Sequence, residues 1–175
     1  MIYVVSENKT KTHAIDLIEF MTFNNWGNET YAGYIRTLSP AQFTEVVPVI
    51  NKSVKGILYH IYHSYWGEFH LITDRDWSTE RSIDEMDMED ILKGIKTLNE
   101  QILNYIKENP VINKPFNYNE PGFEKPIKTN VEVVLLNFIE HTSYHRGQLA
   151  LLLKYHKVKE LDDVNYNPYT WDYKQ

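Results

Sequence analysis

The chain has 175 residues, 42% hydrophobic and 24% charged, a composition typical of one globular domain spanning residues 1–175. A formal net charge of -6 provides no basic surface for a phosphate backbone, so we expect no nucleic-acid partner. The absence of cysteine excludes disulfides and thiolate metal sites, and it leaves His, Asp and Glu as possible ligands. Apolar runs such as residues 133–136 and 149–153 are much shorter than a membrane span. Met1–Ser6 lacks the basic start of a signal peptide, and we expect a cytoplasmic protein without a membrane partner.

The first two helices are predicted from apolar residues that recur at steps of three and four. The first spans Thr12–Leu38 and ends at Ser39-Pro40. The second spans Asn51–Ile72, with Ser53 as its N-cap. The apolar face of the second helix consists of Val54, Ile57, Leu58, Ile61, Tyr65, Phe69 and Ile72.

A third helix is predicted to begin at the capping box Ser82-Ile83-Asp84-Glu85 and to end at Pro110. The connection that follows, Asn109–Lys128, holds four prolines and therefore cannot be regular helix. Two short extended pieces, Pro115–Tyr118 and Gly122–Ile127, fit this stretch. We expect the whole connection to cross over the fold.

A second capping box, Thr129-Asn130-Val131-Glu132, opens a fourth helix that ends near His156. The tail Lys157–Gln175 is expected to pack back on the helices through Tyr166, Tyr169, Trp171 and Tyr173. Helices of about 20–28 residues correspond to rods of roughly 30–40 Å, which is the length of a four-helix bundle. The predicted fold is an all-α four-helix bundle with a long crossover connection before the last helix.

Two histidines on the fourth helix face the predicted core. His141 and His145 are four residues apart, which places both rings on the face that carries Val134 and Phe138. This spacing is a common way for one helix to give two nitrogens to a metal. Thr142 follows His141 where zinc peptidases carry a glutamate, so the base of those enzymes is missing. The pattern predicts a metal site whose third ligand comes from a neighbouring helix.

The second helix offers that third ligand. His60 lies at the margin of its apolar face, whereas His63 points nearly opposite, so His60 is preferred and His63 is the second choice. Three neutral imidazoles leave a position open for water or substrate, as in catalytic rather than closed structural sites. Alternatively, a core-facing histidine is a hydrogen-bonded packing residue. Surface or packing roles are assigned in this way to His13, His63, His70 and His156.

Three segments, Phe23–Asn28, Ser53–Ile61 and Asn137–Leu149, resemble corresponding segments of the DinB-like (DinB/YfiT) family of metal-binding four-helix-bundle proteins. Asn137–Leu149 is similar to the family signature H-x-x-x-H-R-G-Q. Ser53–Ile61 resembles the second-helix segment that supplies the first metal histidine, and Phe23–Asn28 resembles the aromatic-Asn-Trp stretch of the first helix. The segments occur in the family's order and spacing along nearly the whole chain.

The resemblance implies a divalent metal, zinc or nickel, on His60, His141 and His145, and it also implies a homodimer. Many members of the family have no assigned reaction. Some transfer a low-molecular-weight thiol such as bacillithiol or mycothiol to an electrophile, and others are metal-assisted isomerases or hydrolases. Asn137 stands where relatives often have His, and Glu140 stands where many have Asn. These departures concern the substrate class and leave the three ligands in place.

Roles can also be assigned to residues around the predicted ligands. Glu140, like Glu68, is a candidate general base near a metal-bound water. Arg146 is a candidate substrate contact or a surface or helix-pairing residue whose charge meets Glu or Asp. Gln148 lies near the ligand face and is predicted to orient an imidazole. Gly147 has no side chain and would allow the fourth helix to approach a neighbour closely.

Two functions from different classes fit this sequence. The first is a metal-dependent enzyme of the thiol transferase or hydrolase type, in which the metal activates water or a thiol for attack on a small electrophile. The second is a non-catalytic, stress-related bundle that binds a metal or another ligand. Direct DNA repair is disfavoured because the chain carries a net charge of -6 and no basic helix.

Overall fold

The computed structural model describes residues 17–73, 80–109, 113–119, 122–162 and 164–165. It contains a 3-10 turn at Ile83–Glu85 and the helices α1 (Leu17–Ile35), α2 (Pro40–Thr44), α3 (Val54–Thr73), α4 (Met88–Glu108) and α5 (Val131–Tyr155). Two short strands, β1 (Phe116–Tyr118) and β2 (Ile127–Thr129), lie between α4 and α5. The four long helices confirm the predicted all-α fold. Within the described ranges, no helix combines the length and apolar character that a membrane crossing requires.

Side-chain caps fix the starts of two long helices near their predicted positions. The Ser53 hydroxyl accepts a hydrogen bond from the Gly56 amide at 3.0 Å, as expected of an N-cap. At α5 the cap is Asn130, whose Oδ1 accepts from the Val133 amide at 2.9 Å. The sequence predicted Thr129 as the cap, which is one residue too early, because Thr129 is the last residue of β2.

The predicted third helix begins in two stages. The amide of Ser82 donates to Glu85 Oε2 at 2.9 Å, so the predicted capping box forms, but it opens only the 3-10 turn. Helix α4 begins at a second box, in which the Asp90 amide donates to Asp87 Oδ1 at 2.8 Å. The start of the third long helix therefore lies one turn further along the chain than predicted.

The short helix α2 was not predicted. Ser39-Pro40, predicted as the end of the first helix, instead opens α2, because Ser39 caps it and Pro40 occupies its first turn. The amide of Gln42 donates to Ser39 Oγ at 3.3 Å, and the Ser39 amide donates to Gln42 Oε1 at 2.9 Å. Helix α1 ends at Ile35, and its predicted start at Thr12 lies outside the described residues.

The directions of the helices follow from pairs of residues that meet between them. Salt bridges join Glu29 to Lys96 at 3.7 Å and Arg36 to Glu89 at 2.8 Å, so α1 and α4 are antiparallel. Helices α3 and α5 are also antiparallel, since the ring centroids of Tyr65 and Phe138 lie 4.1 Å apart while those of His60 and His145 lie 4.6 Å apart.

Helices α3 and α4 run in the same direction. Tyr62 packs beside Gly94, and the Tyr65 hydroxyl donates to Asn99 Oδ1 at 3.3 Å. The described residues that precede α4 therefore lie near the first half of α3. The Tyr59 hydroxyl accordingly reaches the carbonyl of Arg81 at 3.0 Å. This parallel arrangement was not predicted from the sequence, which led us to expect a single long connection.

The connection before α5 crosses the bundle as predicted. Helices α1 and α3 each pack against both α4 and α5, which places α4 and α5 at opposite corners. Within the connection, β1 and β2 pair antiparallel with Phe116 opposite Thr129. β1 lies within the first predicted extended piece, Pro115–Tyr118, whereas β2 shares only Ile127 with the second, Gly122–Ile127. Beyond α5, the core is covered by Val158, Leu161 and Val164. The four aromatic residues predicted to anchor the tail lie outside the described residues.

Two glycines allow close contacts between elements. A Cβ at Gly94 would lie 2.7 Å from the Tyr62 ring, and one at Gly27 would lie 2.8 Å from Val164 and 3.2 Å from the Arg146 guanidinium. The close approach predicted at Gly147 is not observed, because no heavy atom lies within 4 Å of the position that its Cβ would take. Gly147 is exposed on α5.

We expect Gly94→Ala to destabilise the fold by about 1–2 kcal/mol, because the clash with Tyr62 outweighs the higher helix propensity of alanine. The matched control is Gly33→Ala on α1, where the added methyl meets open space and should stabilise by about 0.5–1 kcal/mol. Urea unfolding followed by circular dichroism measures both changes. Equal effects of the two substitutions would contradict the described packing of α3 against α4.

Candidate metal centre

The three predicted ligands meet between α3 and α5. His60 lies on the second turn of α3, and His141 and His145 occupy successive turns near the middle of α5. One ring nitrogen from each of the three residues lies within 4.8 Å of the others. His141 and His145 are partly buried, whereas His60 is exposed. The site therefore lies at the edge of the bundle and is open to solvent on the His60 side.

The spacing of the three nitrogens fits a single ion. His60 Nε2 lies 3.2 Å from His141 Nε2, and His145 Nε2 lies 3.0 Å from His141 Nε2. Nitrogens about 2.0–2.1 Å from a tetrahedral metal are about 3.3 Å apart, and those on one face of an octahedron are about 3.0 Å apart. The histidines therefore need only small movements to hold a divalent cation, with at least one coordination position left open.

The protons of the three rings also favour a cation between them. His145 Nδ1 lies 2.8 Å from Gln148 Oε1. Since that oxygen only accepts hydrogen bonds, the ring proton of neutral His145 is on Nδ1, and its Nε2 carries a lone pair. A single proton on His141 Nε2 can be shared with His145 or with His60, but not with both. A cation at the centre would engage all three nitrogens at once.

Electrostatics keep the exposed ligand neutral. Loss of hydration, followed by the proximity of His145 and His141, lowers the pKa of His60 to about 4. The pKa of His141 is also lowered by loss of hydration and by His145, while the negative charge of Glu140 acts in the opposite direction. At neutral pH His60 and His141 are therefore unprotonated, which is the state that binds metal ions.

Gln148 contacts one of the three histidines. Its Oε1 faces His145 Nδ1, and its Nε2 donates to the Tyr144 hydroxyl at 3.0 Å. Fixing the second nitrogen of a ligating histidine sets both its tautomer and its orientation. The Gln148 side chain is itself oriented by Tyr144, whose ring centroid lies 5.1 Å from that of His145.

The other described histidines lie away from the centre. His63 Nδ1 is 2.5 Å from Glu80 Oε1 on the solvent side of α3. His70 packs on Trp66, with ring centroids 4.2 Å apart, and His156 Nδ1 lies 3.9 Å from a Glu45 carboxylate oxygen. His13 lies outside the described residues.

The two candidate catalytic residues are in different environments. Glu140 is exposed and precedes His141 on α5, within range to influence that ligand's charge. Arg146 is 4% exposed, and its guanidinium donates to the side-chain oxygens of Asn24 and Asn28 on α1. The sequence interpretation of Arg146 as a surface residue, or one that pairs helices through Glu or Asp, is therefore wrong. It does pair two helices, but through neutral amides.

The amide cluster was not predicted from the sequence, in which Tyr65 is part of the apolar face of the second helix. Tyr65 is fully buried, and its hydroxyl is bonded to Asn24, Asn28 and Asn99. Asn24 and Asn28 are one turn apart on the buried side of α1, and Asn99 interrupts the apolar face of α4. Polar residues at such positions were the available signal, because buried amides require partners.

Comparisons with known proteins agree with this fold. A sequence model described as the DinB family matches residues 7–160. The chain is 22% identical over 140 residues to Protein DinB of Bacillus subtilis, covering 75% of this chain and 81% of that protein. A crystal structure of a DinB-like protein from Bacillus subtilis matches with a TM-score of 0.63 and 13% identity, over 84% of this chain and 97% of the other. A crystal structure of a DinB-like protein from Bacillus cereus matches with a TM-score of 0.61 and 14% identity, over 83% of this chain and 95% of the other.

The fold and the site together define a helical bundle with three converging histidines at the edge of its core. With a family match over most of its length, the chain belongs to the DinB family. The identities to the two solved structures are low, so these structures bear on the fold alone.

We expect Gln148→Ala to weaken zinc binding about 10- to 100-fold, because His145 loses the group that fixes its tautomer. Competition with a chromophoric chelator measures the Kd. Gln101→Ala, an exposed position on α4, is the matched control and should leave the Kd unchanged. If both variants bind zinc like the wild type, Gln148 does not support the ligand.

Proposed function

We propose that the protein is a metal-dependent enzyme whose centre consists of His60, His141 and His145, with zinc or nickel as the ion. The observation that carries this proposal is the convergence of three histidines on one partly open site, where His141 Nε2 lies 3.2 Å from His60 Nε2 and 3.0 Å from His145 Nε2. Imidazole is a suitable ligand for both metals. Three protein ligands and an open position are the arrangement of catalytic rather than structural zinc sites.

The proposed reaction is attack by water or a low-molecular-weight thiol on a small electrophile. A bound divalent cation supplies Lewis acidity, which lowers the pKa of a water or thiol ligand toward neutrality. In a thiol transfer, a sulfur–carbon bond forms while the bond between that carbon and its leaving group breaks. Glu140, exposed beside His141, is the proposed acceptor of the thiol proton. Gln148 holds the His145 ring in place throughout.

Elemental analysis of protein purified without a histidine tag tests the metal. We expect near-stoichiometric zinc or nickel in the wild type and almost none in His141→Ala/His145→Ala, with far-UV helicity largely retained. His63→Ala is the matched control, because His63 is an exposed histidine three residues after His60 on α3; it should retain the metal. An empty wild type, even after anaerobic reconstitution with zinc, nickel, iron and manganese, would overturn the proposal.

Turnover tests the role of Glu140. With the metal-loaded protein, a low-molecular-weight thiol and the fluorogenic electrophile monochlorobimane, we expect conjugation above the uncatalysed rate. Glu140→Gln should lower kcat about 100-fold or more without changing metal content, because the proton acceptor is lost. Glu132→Gln, an exposed glutamate in the first turn of α5, is the control.

A metal-loaded protein that turns over neither thiols nor hydrolysable esters would support the alternative, a non-catalytic metal-binding bundle. The homodimer expected from the family resemblance is a separate proposal. Sedimentation velocity of the wild-type protein tests it directly.

A further inference from the structure

A buried arginine directly follows one of the proposed ligands. Arg146 is next to His145 on α5, yet its side chain enters the bundle and is 4% exposed. Its Nη1 donates to Asn24 Oδ1 at 2.6 Å and to Asn28 Oδ1 at 2.9 Å, and its Nη2 donates to Ser143 Oγ at 2.8 Å. Three short hydrogen bonds thus fix the plane of the guanidinium between α5 and α1.

This cation is held by neutral groups. In the part of the chain that the structure describes, no ion pair joins Arg146 to a carboxylate. An arginine remains charged in a protein, and burial of a charge is costly unless its donors are satisfied. The guanidinium is therefore stable only where the two amide oxygens and the Ser143 hydroxyl meet, which restricts how α5 can lie against α1.

The Tyr65 hydroxyl orients the same two amides from the other side. Asn24 Nδ2 donates to it at 2.9 Å and Asn28 Nδ2 at 2.8 Å, while the hydroxyl donates to Asn99 Oδ1 at 3.3 Å. Each asparagine on α1 thus points its oxygen at Arg146 and its nitrogen at Tyr65. Burial raises the pKa of Tyr65, which keeps the phenol protonated in this role. The cluster joins α1, α3, α4 and α5.

The backbone of α1 is shaped to receive the guanidinium. A Cβ at Gly27 would lie 3.2 Å from both Cζ and Nε of Arg146. The missing side chain therefore lets α1 approach the guanidinium closely between the turns that carry Asn24 and Asn28.

The cluster bears on the metal centre through the two helices that carry its ligands. Tyr65 lies five residues after His60 on α3, and Arg146 lies immediately after His145 on α5. Both residues bind the same pair of α1 asparagines, so the position of α3 along α5 is fixed at one point. His60 is exposed, and its ring meets those of His141 and His145 on α5, with centroids 5.0 and 4.6 Å apart. Its distance from His141 therefore depends on the register of the two helices.

We propose that Arg146 is a positioning residue that acts through Asn24, Asn28 and Tyr65 to set the register of α3 and α5 for metal binding. This inference rests on the proposed metal centre. It assigns Arg146 no contact with substrate.

The test compares variants at matched stability. Arg146→Met removes the charge and keeps a similar side-chain length, and Tyr65→Phe removes only the hydroxyl. Leu152→Ala, at a fully buried apolar position two turns after His145 on α5, destabilises the same helix and lies outside the cluster. Zinc Kd by chelator competition and the visible spectrum of the cobalt-substituted protein report on the centre. Urea unfolding of the metal-free proteins reports on stability.

We expect Arg146→Met to raise the zinc Kd at least tenfold and to shift the cobalt spectrum, with a smaller change in the same direction for Tyr65→Phe. Combining Arg146→Met with Tyr65→Phe should add little to the Arg146→Met effect, because both act through one cluster. Leu152→Ala should lose stability but keep its Kd within twofold of the wild type.

A zinc Kd and cobalt spectrum in Arg146→Met that match those of Leu152→Ala would overturn the positioning role. Should Arg146→Met not fold, Tyr65→Phe decides alone, and a wild-type Kd in that variant would overturn the proposal. A wild-type protein that binds neither zinc nor cobalt is a different outcome, because it removes the proposed function itself.

Discussion

The structure of the site depends on one constraint. Three imidazole nitrogens converge, and they carry too few protons to form a hydrogen bond in each of the two contacts between them. The proton of the neutral His145 ring is on Nδ1, which donates to Gln148, so Nε2 of that ring can only accept a hydrogen bond. His141 can then complete one contact with a neighbouring histidine and not two. A divalent cation resolves this conflict, since it accepts a lone pair from every ring. The constraint requires three positions, on two helices, to be held to within a few tenths of an ångström.

The order of the helices explains how that precision is reached. The three histidines lie on α3 and α5, which are neighbours in space but are separated along the chain by α4 and two long connections. Since α3 and α4 are parallel, neither connection is a tight turn that could fix the register of a helix pair. Register must instead come from contacts inside the bundle. Apolar packing supplies most of the stability, but it tolerates small slides between helices better than directional hydrogen bonds do.

Local features of the fold could be predicted from the sequence, whereas those set by distant contacts could not. Apolar spacing predicted the four long helices, and the interval from His141 to His145 predicted a pair of ligands on one face. His60 was preferred over His63 by its angle on the helix, and the structure brings His60 to the pair. The inward path of Arg146 could not be predicted, because its partners, Asn24 and Asn28, are more than a hundred residues away. Only the tertiary fold brings them together.

The bundle thus contains two polar clusters with different properties, one around Arg146 and one formed by the three histidines. Around Arg146, Asn24 and Asn28 each use the oxygen and the nitrogen of the side-chain amide. Asn99 on α4 accepts from the Tyr65 hydroxyl, while its Nδ2 is buried without a partner among the described residues. The histidines are at the edge, where loss of hydration and mutual proximity lower the pKa of His60 to about 4. At neutral pH protons therefore do not compete for this ring, and the lone pairs remain available. A cluster that served only packing would be satisfied internally, as the side chains of Asn24 and Asn28 are. The histidines instead leave unmet bonding capacity on the side that solvent can reach, which is the property that a ligand-binding centre requires.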